Sequence, residues 1–360
     1  MPRVLFLGLH RPDRSPSQRF RFEQYLGYLK QNGFEYDFSY LLTAKDDKIY
    51  YSSGKLLKKA FVVFKSTFKR LRELFSASQY DIIFVQRECY MLGTAFFEKK
   101  FGRSRAKMIF DFDDSIWMQN VSEANKKFAV LKDAGKTSKI ISCSDLIFAG
   151  NHYLSDYAKK FNPHVVIIPT TIDTDEYQRP TSLQPNSQIV IGWSGSVTTI
   201  QHFNFAVPFL RMIKQKYGNR VAFKVIGDGN YKNEELEIKG LPWRKEDEVR
   251  EISSMDIGIM PLPDDEWAKG KCGLKGLQYM SLEVATIMSP VGVNSEIIQD
   301  GENGFLASTA EEWFQCISKL IEDESLRKRL GENARKTVVE KYSFESQKEV
   351  YLKYFRQLLG

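Results

Sequence analysis

The sequence predicts an α/β protein of two doubly wound, Rossmann-like parallel-sheet domains in series, with their sheets facing a central cleft. In each half, short apolar segments typical of buried strands alternate with segments whose apolar residues recur at helical spacing. A polar stretch over 173–187 containing two prolines separates the halves, and the alternation restarts after it. At 360 residues, 42% of them hydrophobic and 27% charged, the chain can bury two ordinary cores.

The elements of the first half are predicted from periodicity and from the residues that bound them. Ser15 or Ser17 can cap the first helix, and Asn151 can cap the last. The predicted strands are 3–8, 35–42, 81–86, 107–112, 145–149 and 165–168, and the helices are 17–31, 55–75, 91–101, 123–141 and one after Asn151.

The second half repeats this pattern, and Pro290 with Gly292 ends its fourth strand. Its predicted strands are 188–193, 221–227, 256–260 and 285–288, and its helices are 200–217, 246–254, 274–284, 309–322, 325–340 and 344–359. We therefore predict domains at 1–172 and 188–342 joined by a linker at 173–187. Because ligands of open parallel sheets bind beyond the carboxyl ends of strands, functional residues are expected in the loops that follow strands.

Cysteine usage and hydropathy favour a cytoplasmic protein without a metal site. The four cysteines (Cys89, Cys143, Cys272 and Cys316) are scattered and have no Cys-x-x-Cys spacing. The apolar run from Val4 to Leu9 is too short for a signal peptide. No apolar stretch reaches the roughly 18 residues that a membrane-spanning helix needs.

Most of the net charge of +7 lies in the predicted helix 55–75, where seven basic residues oppose Glu73. Apolar residues including Leu57, Phe61 and Phe75 recur on one face of this helix. Two interpretations stay open: a helix lying on an anionic membrane surface, at the inner face of the plasma membrane, or a core-facing helix with a solvated basic back. Binding of nucleic acid is disfavoured, because no known nucleic-acid motif accompanies the charge.

Two turns are predicted to bind anions at helix N-termini. In the first, Gly273 precedes Leu274 at the start of a helix, with Lys271 and Lys275 beside it. An exposed turn with no ligand is the alternative, and no Walker-type spacing is present. In the second turn, Gly195 and Ser196 follow a strand, and Thr198 and Thr199 open a helix. A capping role for Ser196 and Thr199 is the alternative there.

Gly227, Asp228 and Gly229 follow another strand of the second half. This Gly-Asp-Gly turn would let a nucleotide base lie against the backbone, although a simple tight turn needs the same residues. Together with the two helix N-termini it predicts a nucleotide site at one edge of the second sheet.

In the first half, Asp111, Asp113 and Asp114 form the densest acidic cluster at a predicted strand end. They could hold a divalent ion, orient acceptor hydroxyls or act as a base; helix capping and pairing with Arg87 is the structural alternative. Arg19, Arg21 and Arg87 could grip a phosphate, although Arg21 favours a surface salt bridge. His10 is the histidine that lies in such a loop.

The stretch 274–307, LKGLQYMSLEVATIMSPVGVNSEIIQDGENGFLA, resembles the donor-binding segment of the retaining family-4 (group 1) glycosyltransferases with the GT-B fold. The Gly-Trp-x-Gly-Ser run at 192–196 resembles the start of that family's donor domain. The ordered matches are Lys275, Gln278, Tyr279, Met280, Ser289, Val291, Gly292, Glu296, Asp300, Gly301, Asn303, Gly304 and Phe305.

The resemblance implies transfer of a hexosyl unit, with retention, from a UDP- or GDP-sugar to a glycan or lipid-linked acceptor in surface polysaccharide synthesis. It implies no cofactor beyond this donor and no metal, and a C-terminal helix 343–360 that packs back on the first domain. Catalytic roles are expected for Asp113, Arg87 and Lys271. Donor binding is expected from Gly195, Ser196, Thr198, Gly227, Gly273, Leu274, Lys275 and Gln278, and acceptor-side roles from Arg19, His10 and Asp114.

Several positions depart from the family pattern, and they leave two rival functions open. Gly270 and Gln278 replace a pair of glutamates that contacts sugar and ribose, Glu283 replaces a glycine, and Ala285 replaces a proline. A non-catalytic sugar-nucleotide-binding or scaffold protein fits these departures, and a nucleotide-sugar epimerase also uses two such domains. The transferase hypothesis requires the segments near 196 and 273 to lie close together.

Overall fold

The computed structural model describes residues 1–52, 54–118, 133, 135–183 and 187–360, which form two compact units. The first unit comprises 1–170 and 348–360, and the second comprises 171–347. Residues 184–186 of the predicted linker and most of the predicted helix 123–141 lie outside the described residues.

The first unit is built on a six-stranded parallel sheet in the order β2-β1-β3-β4-β5-β6. Aromatic and β-branched residues fill its central strands, as expected of a sheet covered on both faces. Its strands are β1 (Arg3–His10), β2 (Glu35–Leu42), β3 (Ile82–Gln86), β4 (Lys107–Phe112), β5 (Leu146–Ala149) and β6 (Val165–Ile167).

Within the described part of residues 1–170, helices precede or follow these strands. They are α1 (Pro16–Arg19), α2 (Leu26–Gln31), α3 (Ala44–Tyr50), α4 (Leu56–Ser76), α5 (Phe96–Phe101), α6 (Lys136–Ser142) and α7 (His152–Lys159). Asn151 caps α7 as expected, because its side chain accepts a hydrogen bond from the Leu154 amide.

Two helices predicted in the first half are wrong in extent. The segment 17–31 is divided into α1, a 3₁₀ turn at Glu23–Tyr25 and α2, because Arg21 between them turns inward to Asp111. The segment 91–101 is helical only in α5, since the carbonyls of Tyr90 and Leu92 bind the Lys136 ammonium group instead of continuing a helix. Helix α3 was not expected from the sequence.

The second unit is built on another six-stranded parallel sheet, in the order β11-β8-β7-β12-β13-β14. A two-stranded antiparallel ribbon of β9 and β10 accompanies it. The strands are β7 (Ile189–Ser194), β8 (Val221–Gly227), β9 (Lys232–Asn233), β10 (Ile238–Lys239), β11 (Leu241–Pro242), β12 (Ile257–Met260), β13 (Ala285–Met288) and β14 (Phe305–Leu306).

The predicted helix 200–217 is wrong, because it is divided after Asn204. Pro208 lies in the first turn of the following helix and has no amide hydrogen to bond back to the preceding turn. The helices are α8 (Ile200–Asn204), α9 (Val207–Tyr217), α10 (Lys245–Ser253), α11 (Glu266–Lys269), α12 (Leu274–Ser281), α13 (Asn294–Ile297), α14 (Ala310–Glu322), α15 (Glu324–Thr337) and α16 (Phe344–Gln357).

The end of α16 belongs to the first unit, where its aromatic side chains pack on the sheet. The Tyr351 ring stacks on Tyr25 with 4.1 Å between centroids, and Phe355 lies 6.1 Å from Phe84. The predicted fold class, two parallel-sheet α/β units, is confirmed.

Candidate functional site

The loops at the carboxyl edge of the second sheet carry most of the predicted donor-binding residues. We call this edge the second rim and define it as residues 193–202, 227–230 and 261–279, which include the first turns of the helices that follow the loops. Strands β7 and β12 are adjacent and parallel, so the loops that follow them leave the sheet side by side. The turn after β8 joins them, since β8 pairs with β7.

The turn after β7 is held by its own hydroxyl groups. The Ser196 amide donates to Thr199 Oγ1 over 2.9 Å, and the Ser196 and Thr198 hydroxyls lie 2.9 Å apart. The capping role anticipated for Ser196 and Thr199 is therefore present. Helix α8 has only five residues, so the dipole behind this turn is weaker than the predicted helix 200–217 would supply.

Gly227 and Gly195 lie in contact at the second rim. Gly227 has φ +126°, and a Cβ at this position would collide with the Gly195 carbonyl oxygen. The Gly195 amide in turn donates to the Ile226 carbonyl over 2.9 Å. Only glycine permits this approach, so two of the predicted donor-binding residues are brought together by backbone packing.

Gly273 is the N-cap of α12 and adopts the left-handed conformation with φ +69°. A side chain there would strike the Ile297 methyl group, and no side chain caps the first turn that begins at Leu274. The first amide groups of a helix have no partner within the helix and favour negative charge. This geometry suits an anion at the start of α12.

Two lysine ammonium groups lie over indole rings at the second rim. Lys271 Nζ lies 3.6 Å from the centroid of Trp267, and Lys275 Nζ lies 5.5 Å from that of Trp193. The electron-rich ring faces stabilise cations that are only half-buried. These contacts place two positive charges beside the N-terminus of α12.

His202 of α8 is buried beside these lysines, and neither of its ring nitrogens has a hydrogen-bond partner. Its ring centroid lies 5.0 Å from that of Trp267. Burial, reinforced by the charges of Lys275 and Lys271, lowers the pKa of His202 to about 3. The imidazole is therefore neutral at physiological pH.

Tyr279 ties α12 to the end of β7. The amide and hydroxyl of Ser194 both donate to the Tyr279 oxygen, over 2.7 and 3.0 Å. The Tyr279 side chain is fully buried, and burial raises its pKa to about 12. Three contacts together bring the segments near 196 and 273 close to each other. They are the contacts of Tyr279 with Ser194, of Lys275 with Trp193 and of His202 with Trp267.

Gln278 is buried in a polar network. Its amide nitrogen donates to Tyr177 Oη and to Glu248 Oε1, both over 3.1 Å. The Tyr177 hydroxyl donates to Glu248 Oε2 over 2.6 Å, and the Trp243 indole donates to Glu248 Oε1 over 2.8 Å. The side-chain amide of Gln278 was expected to bind a ribose. In the structure both of its amide hydrogens are instead donated to Tyr177 and Glu248.

Glu283, one of the departures from the family pattern, lies in the turn between α12 and β13. Its φ of +60° falls in the left-handed region, where glycine is most comfortable. A carboxylate oxygen of Glu283 lies 3.8 Å from Arg335 Nε. The substitution therefore strains a turn, whereas Gly270 ends α11 with ordinary helical φ.

We call residues 9–15, 87–90 and 111–117, at the carboxyl edge of the first sheet, the first rim. Arg21 binds Asp111 there, from Nη2 over 2.5 Å and from Nε over 3.1 Å, and both side chains are 1% exposed. The expectation of a surface salt bridge at Arg21 is wrong, because this pair is buried under α16. Burial raises the pKa of Asp111, and the charge of Arg21 opposes that effect.

Arg87 joins the other two carboxylates of the acidic cluster. Its Nε donates to Asp113 Oδ1 over 2.7 Å, and its Nη2 lies 3.7 Å from Asp114 Oδ2. Arg87 has φ +59°, and its amide donates to the Asp111 carbonyl over 2.7 Å. The pairing anticipated as the structural alternative is present, with all three side chains partly accessible.

His10 ends β1 and faces Asp47 of α3, with Nδ1 at 3.7 Å from a carboxylate oxygen. Asp47 also accepts from Arg14 Nε over 2.7 Å and from Arg11 Nη1 over 3.2 Å. Burial lowers the pKa of His10 to about 4. Arg19 is buried, and its guanidinium lies 4.9 Å from the Phe20 ring centroid.

Sequence reasoning missed His202, Trp267 and the hydroxyl of Tyr279 as parts of the second rim. His202 follows the Gly-Ser turn by six residues, and this position was the available signal.

Among the residues that the structure describes, no cluster of three or more His, Cys, Asp or Glu side chains could hold a metal. None of the helices described is both long enough and apolar enough to cross a bilayer.

Residues 188–323 match the family of glycosyl transferases group 1. Over 117 residues the chain is 32% identical to N-acetyl-alpha-D-glucosaminyl L-malate synthase of Bacillus anthracis, covering 32% of this chain and 29% of that protein. Over 172 residues it is 26% identical to the capsular polysaccharide biosynthesis glycosyltransferase CapM of Staphylococcus aureus, covering 44% and 43%. The chain spans less than half the length of the curated relatives it matches.

Among solved structures, Anabaena HepE in complex with UDP and glucose superposes with a TM-score of 0.66 at 14% identity. The superposition covers 99% of this chain and 100% of that one. Likeness at this identity shows the fold, which is the two-domain GT-B fold.

Proposed function

We propose that the protein transfers a hexosyl unit from a nucleoside diphosphate sugar to a hydroxyl acceptor, and the match of residues 188–323 to the glycosyl transferases group 1 supports this proposal. The observation that carries the proposal is the second rim. There the start of α12, two lysines and the turn after β7 converge on one small region.

The rim would stabilise the departing nucleoside diphosphate. Lys271 and Lys275 supply positive charge, and the first amides of α12 supply donors whose positions are fixed before the reaction begins. Prearranged charges and dipoles stabilise a developing negative charge without reorganisation. Gly195 and Gly227, with Ser196 and Thr198 at the turn, would let the nucleotide approach the backbone closely.

In the proposed step, the bond between the sugar anomeric carbon and the diphosphate oxygen breaks. The acceptor oxygen bonds to the same carbon on the same face, which is retention, and its proton leaves with the diphosphate or through a carboxylate. Asp113, held by Arg87, is our candidate to orient the acceptor hydroxyl. Asp114, Arg19 and His10 are further acceptor-side candidates.

Similarity supports particular substrates. HepE binds UDP in its solved complex, which favours UDP over GDP in this chain. CapM is named for capsular polysaccharide synthesis, which favours a glycan or lipid-linked glycan acceptor. The proposed donor is thus a UDP-hexose, with a GDP-sugar as the alternative.

Calorimetric titration with UDP and GDP tests the donor site. Lys275→Ala should weaken UDP binding by about 10- to 100-fold, because a hydrogen bond to a charged group contributes about 1.5–3 kcal/mol. Lys269→Ala is the matched control, since Lys269 lies in the same segment but pairs with Glu266 over 2.8 Å. Equal affinities of both variants and the unaltered protein would reject the site.

A sugar-nucleotide-binding protein without turnover is the second candidate, and the commitment of Gln278 to Tyr177 and Glu248 favours it. Incubation with UDP-sugars separates the functions. Release of free UDP supports the transferase, while binding without release supports the non-catalytic protein. An altered sugar still attached to the nucleotide would support an epimerase.

A further inference from the structure

A row of large apolar side chains lies exposed along α4 of the first unit. We call it the apolar stripe, and its members are spaced alternately four and three residues apart. They are Leu57, Phe61, Phe64, Phe68, Leu71 and Phe75, and they are 88%, 66%, 69%, 66%, 38% and 87% exposed. At helical geometry they fall within an arc of about 80° and extend for about 27 Å.

The opposite face of α4 fixes the helix in this orientation. Val62, Ser66 and Arg70 are buried there. Arg70 is fully buried and donates to the carbonyls of Gly8 and Cys89 over 3.0 and 2.6 Å. Turning the apolar stripe inward would break these bonds and leave the carbonyls of Gly8 and Cys89 without this donor. The core-facing interpretation of this helix is therefore wrong.

Basic residues border the apolar stripe along one side. Lys58, Lys65 and Arg72 recur every seven residues and are exposed. Helix α4 has six basic residues and a single acidic one, Glu73. Glu73 pairs with Arg70 over 2.6 Å at the buried face, so it adds no negative charge to the exposed face.

This combination decides between three occupants of the surface. A second copy of the chain could match the four-three spacing of the stripe, but it would bring Lys58 and Arg72 of the two copies together, and the carboxylate that pairs with the row, Asp46, is already bound to Lys65 over 2.5 Å. Nucleic acid would meet the basic row but leave the aliphatic and phenyl groups without partners. Anionic lipid satisfies both, because acyl chains cover the phenyl groups and headgroup phosphates meet the basic row.

We propose that α4 lies in the interface of an anionic lipid bilayer, with the apolar stripe inserted among the acyl chains and its basic row at the headgroups. The surface holds the first unit against the membrane. The proposal does not depend on the reaction proposed above, because no residue of the second rim takes part in it.

Flotation of the 360-residue protein with vesicles tests this surface. The protein should float with vesicles that contain phosphatidylglycerol and remain behind with pure phosphatidylcholine. Phe64→Ser combined with Phe68→Ser should abolish flotation while leaving UDP affinity unchanged, because both side chains are exposed in the unaltered protein. Flotation of that double variant at the level of the unaltered protein would overturn the proposal.

The charge contribution is tested separately. Lys58→Glu with Arg72→Glu should reduce partitioning by at least 20-fold, since one basic residue near an anionic surface is worth about fivefold. Lys30→Glu with Lys160→Glu is the matched control, with the same charge change at exposed sites outside α4. Equal losses in both pairs would overturn the assignment to α4. The unaltered protein could instead fail to float and sediment as a dimer. If the Phe64 and Phe68 substitutions then abolish that dimer, the surface binds a second copy of the chain.

Discussion

Along the first rim arginines meet carboxylates, whereas along the second rim lysines lie over indole rings. Arg21 binds Asp111, and Arg87 binds Asp113. At the second rim, Lys271 and Lys275 lie over Trp267 and Trp193. Carboxylates attract cations through their full negative charge, while ring faces stabilise cations through the ring quadrupole. The two rims therefore hold cations by different contacts, and at the second rim the first amides of α12 add donors that favour an anion.

The two rims also differ in what holds their loops. Charged pairs hold the first rim, and the neutral hydrogen bonds of Tyr279 to Ser194 hold the second. Each rim has one buried or half-buried histidine whose pKa burial lowers, His10 and His202. Substitutions at corresponding positions of the two rims can therefore show how much each kind of contact contributes.

The largest effect is expected at the buried ion pair of the first rim. Arg21→Ala leaves Asp111 buried without its partner and should lower the free energy of unfolding by about 3–5 kcal/mol. Chemical denaturation measures this loss. Arg87→Ala is the comparison, and its partly exposed pair should contribute only about 0–1 kcal/mol. Equal losses would show that burial does not set the strength of these pairs.

Removal of the Tyr279 hydroxyl should have the next largest effect. Tyr279→Phe leaves the buried Ser194 amide without an acceptor, at a cost of about 1–3 kcal/mol. The same change should weaken UDP binding, because Ser194 precedes the turn of Ser196. Denaturation and calorimetry measure the two consequences. Tyr354→Phe, on α16, is the control for UDP binding, and weakened UDP binding in that variant would contradict the coupling.

The histidine of the second rim should make stability depend on pH. The pKa of His202 is about 3 in the folded protein and near 6.5 in the unfolded chain. Below pH 6.5 the unfolded chain therefore takes up a proton that the folded protein does not. Stability should fall with decreasing pH by up to about 1.4 kcal/mol per pH unit until the folded protein also titrates, and this contribution vanishes above pH 6.5.

His202→Asn should remove that part of the pH dependence and leave the part contributed by His10. A diphosphate beside Lys271 and Lys275 offsets their charges, so UDP should raise the pKa of His202 and leave that of His10 unchanged. Imidazole resonances followed during NMR titration measure both values. A UDP effect on His10 alone would place the anion at the first rim.

A smaller effect is expected at Glu283, behind the second rim. Glu283→Gly removes the strain of a side chain in the left-handed conformation and should raise the free energy of unfolding by about 1 kcal/mol. Loss of the weak ion pair with Arg335 should offset a small part of this gain. Denaturation measures the gain, and UDP affinity should stay unchanged. Altered UDP affinity in this variant would mean that position 283 acts on the ligand.

The sequence predicted the strands better than the helices. β2, β4, β8 and β13 have the predicted bounds, because an apolar run between turn residues is a local signal. The helix 200–217 failed at Pro208, a local signal that was given too little weight. The interruption of the predicted helix 17–31 at Arg21 could not be predicted from neighbouring residues, because its cause is the contact with Asp111, 90 residues away.

The same limit applies to the candidate site. Gly195, Gly227 and Gly273 could be identified from the sequence, because close backbone approaches and left-handed turns require glycine. Gln278 is hydrogen-bonded to Tyr177 and Glu248, which lie 101 and 30 residues away in the sequence. No pattern among neighbouring residues indicates these contacts. The burial of His202 likewise depends on Trp267, on a different loop.

By itself the sequence determined the alternation of strands and helices, the glycines of the second rim and the basic, amphipathic character of α4. These properties depend on neighbouring residues and on backbone conformation. Only the tertiary structure decided which face of α4 meets water and which cations meet carboxylates. The reason is that burial of Arg70 against Gly8 and Cys89, and of Arg21 against Asp111, is settled by partners that the chain brings together only when it folds.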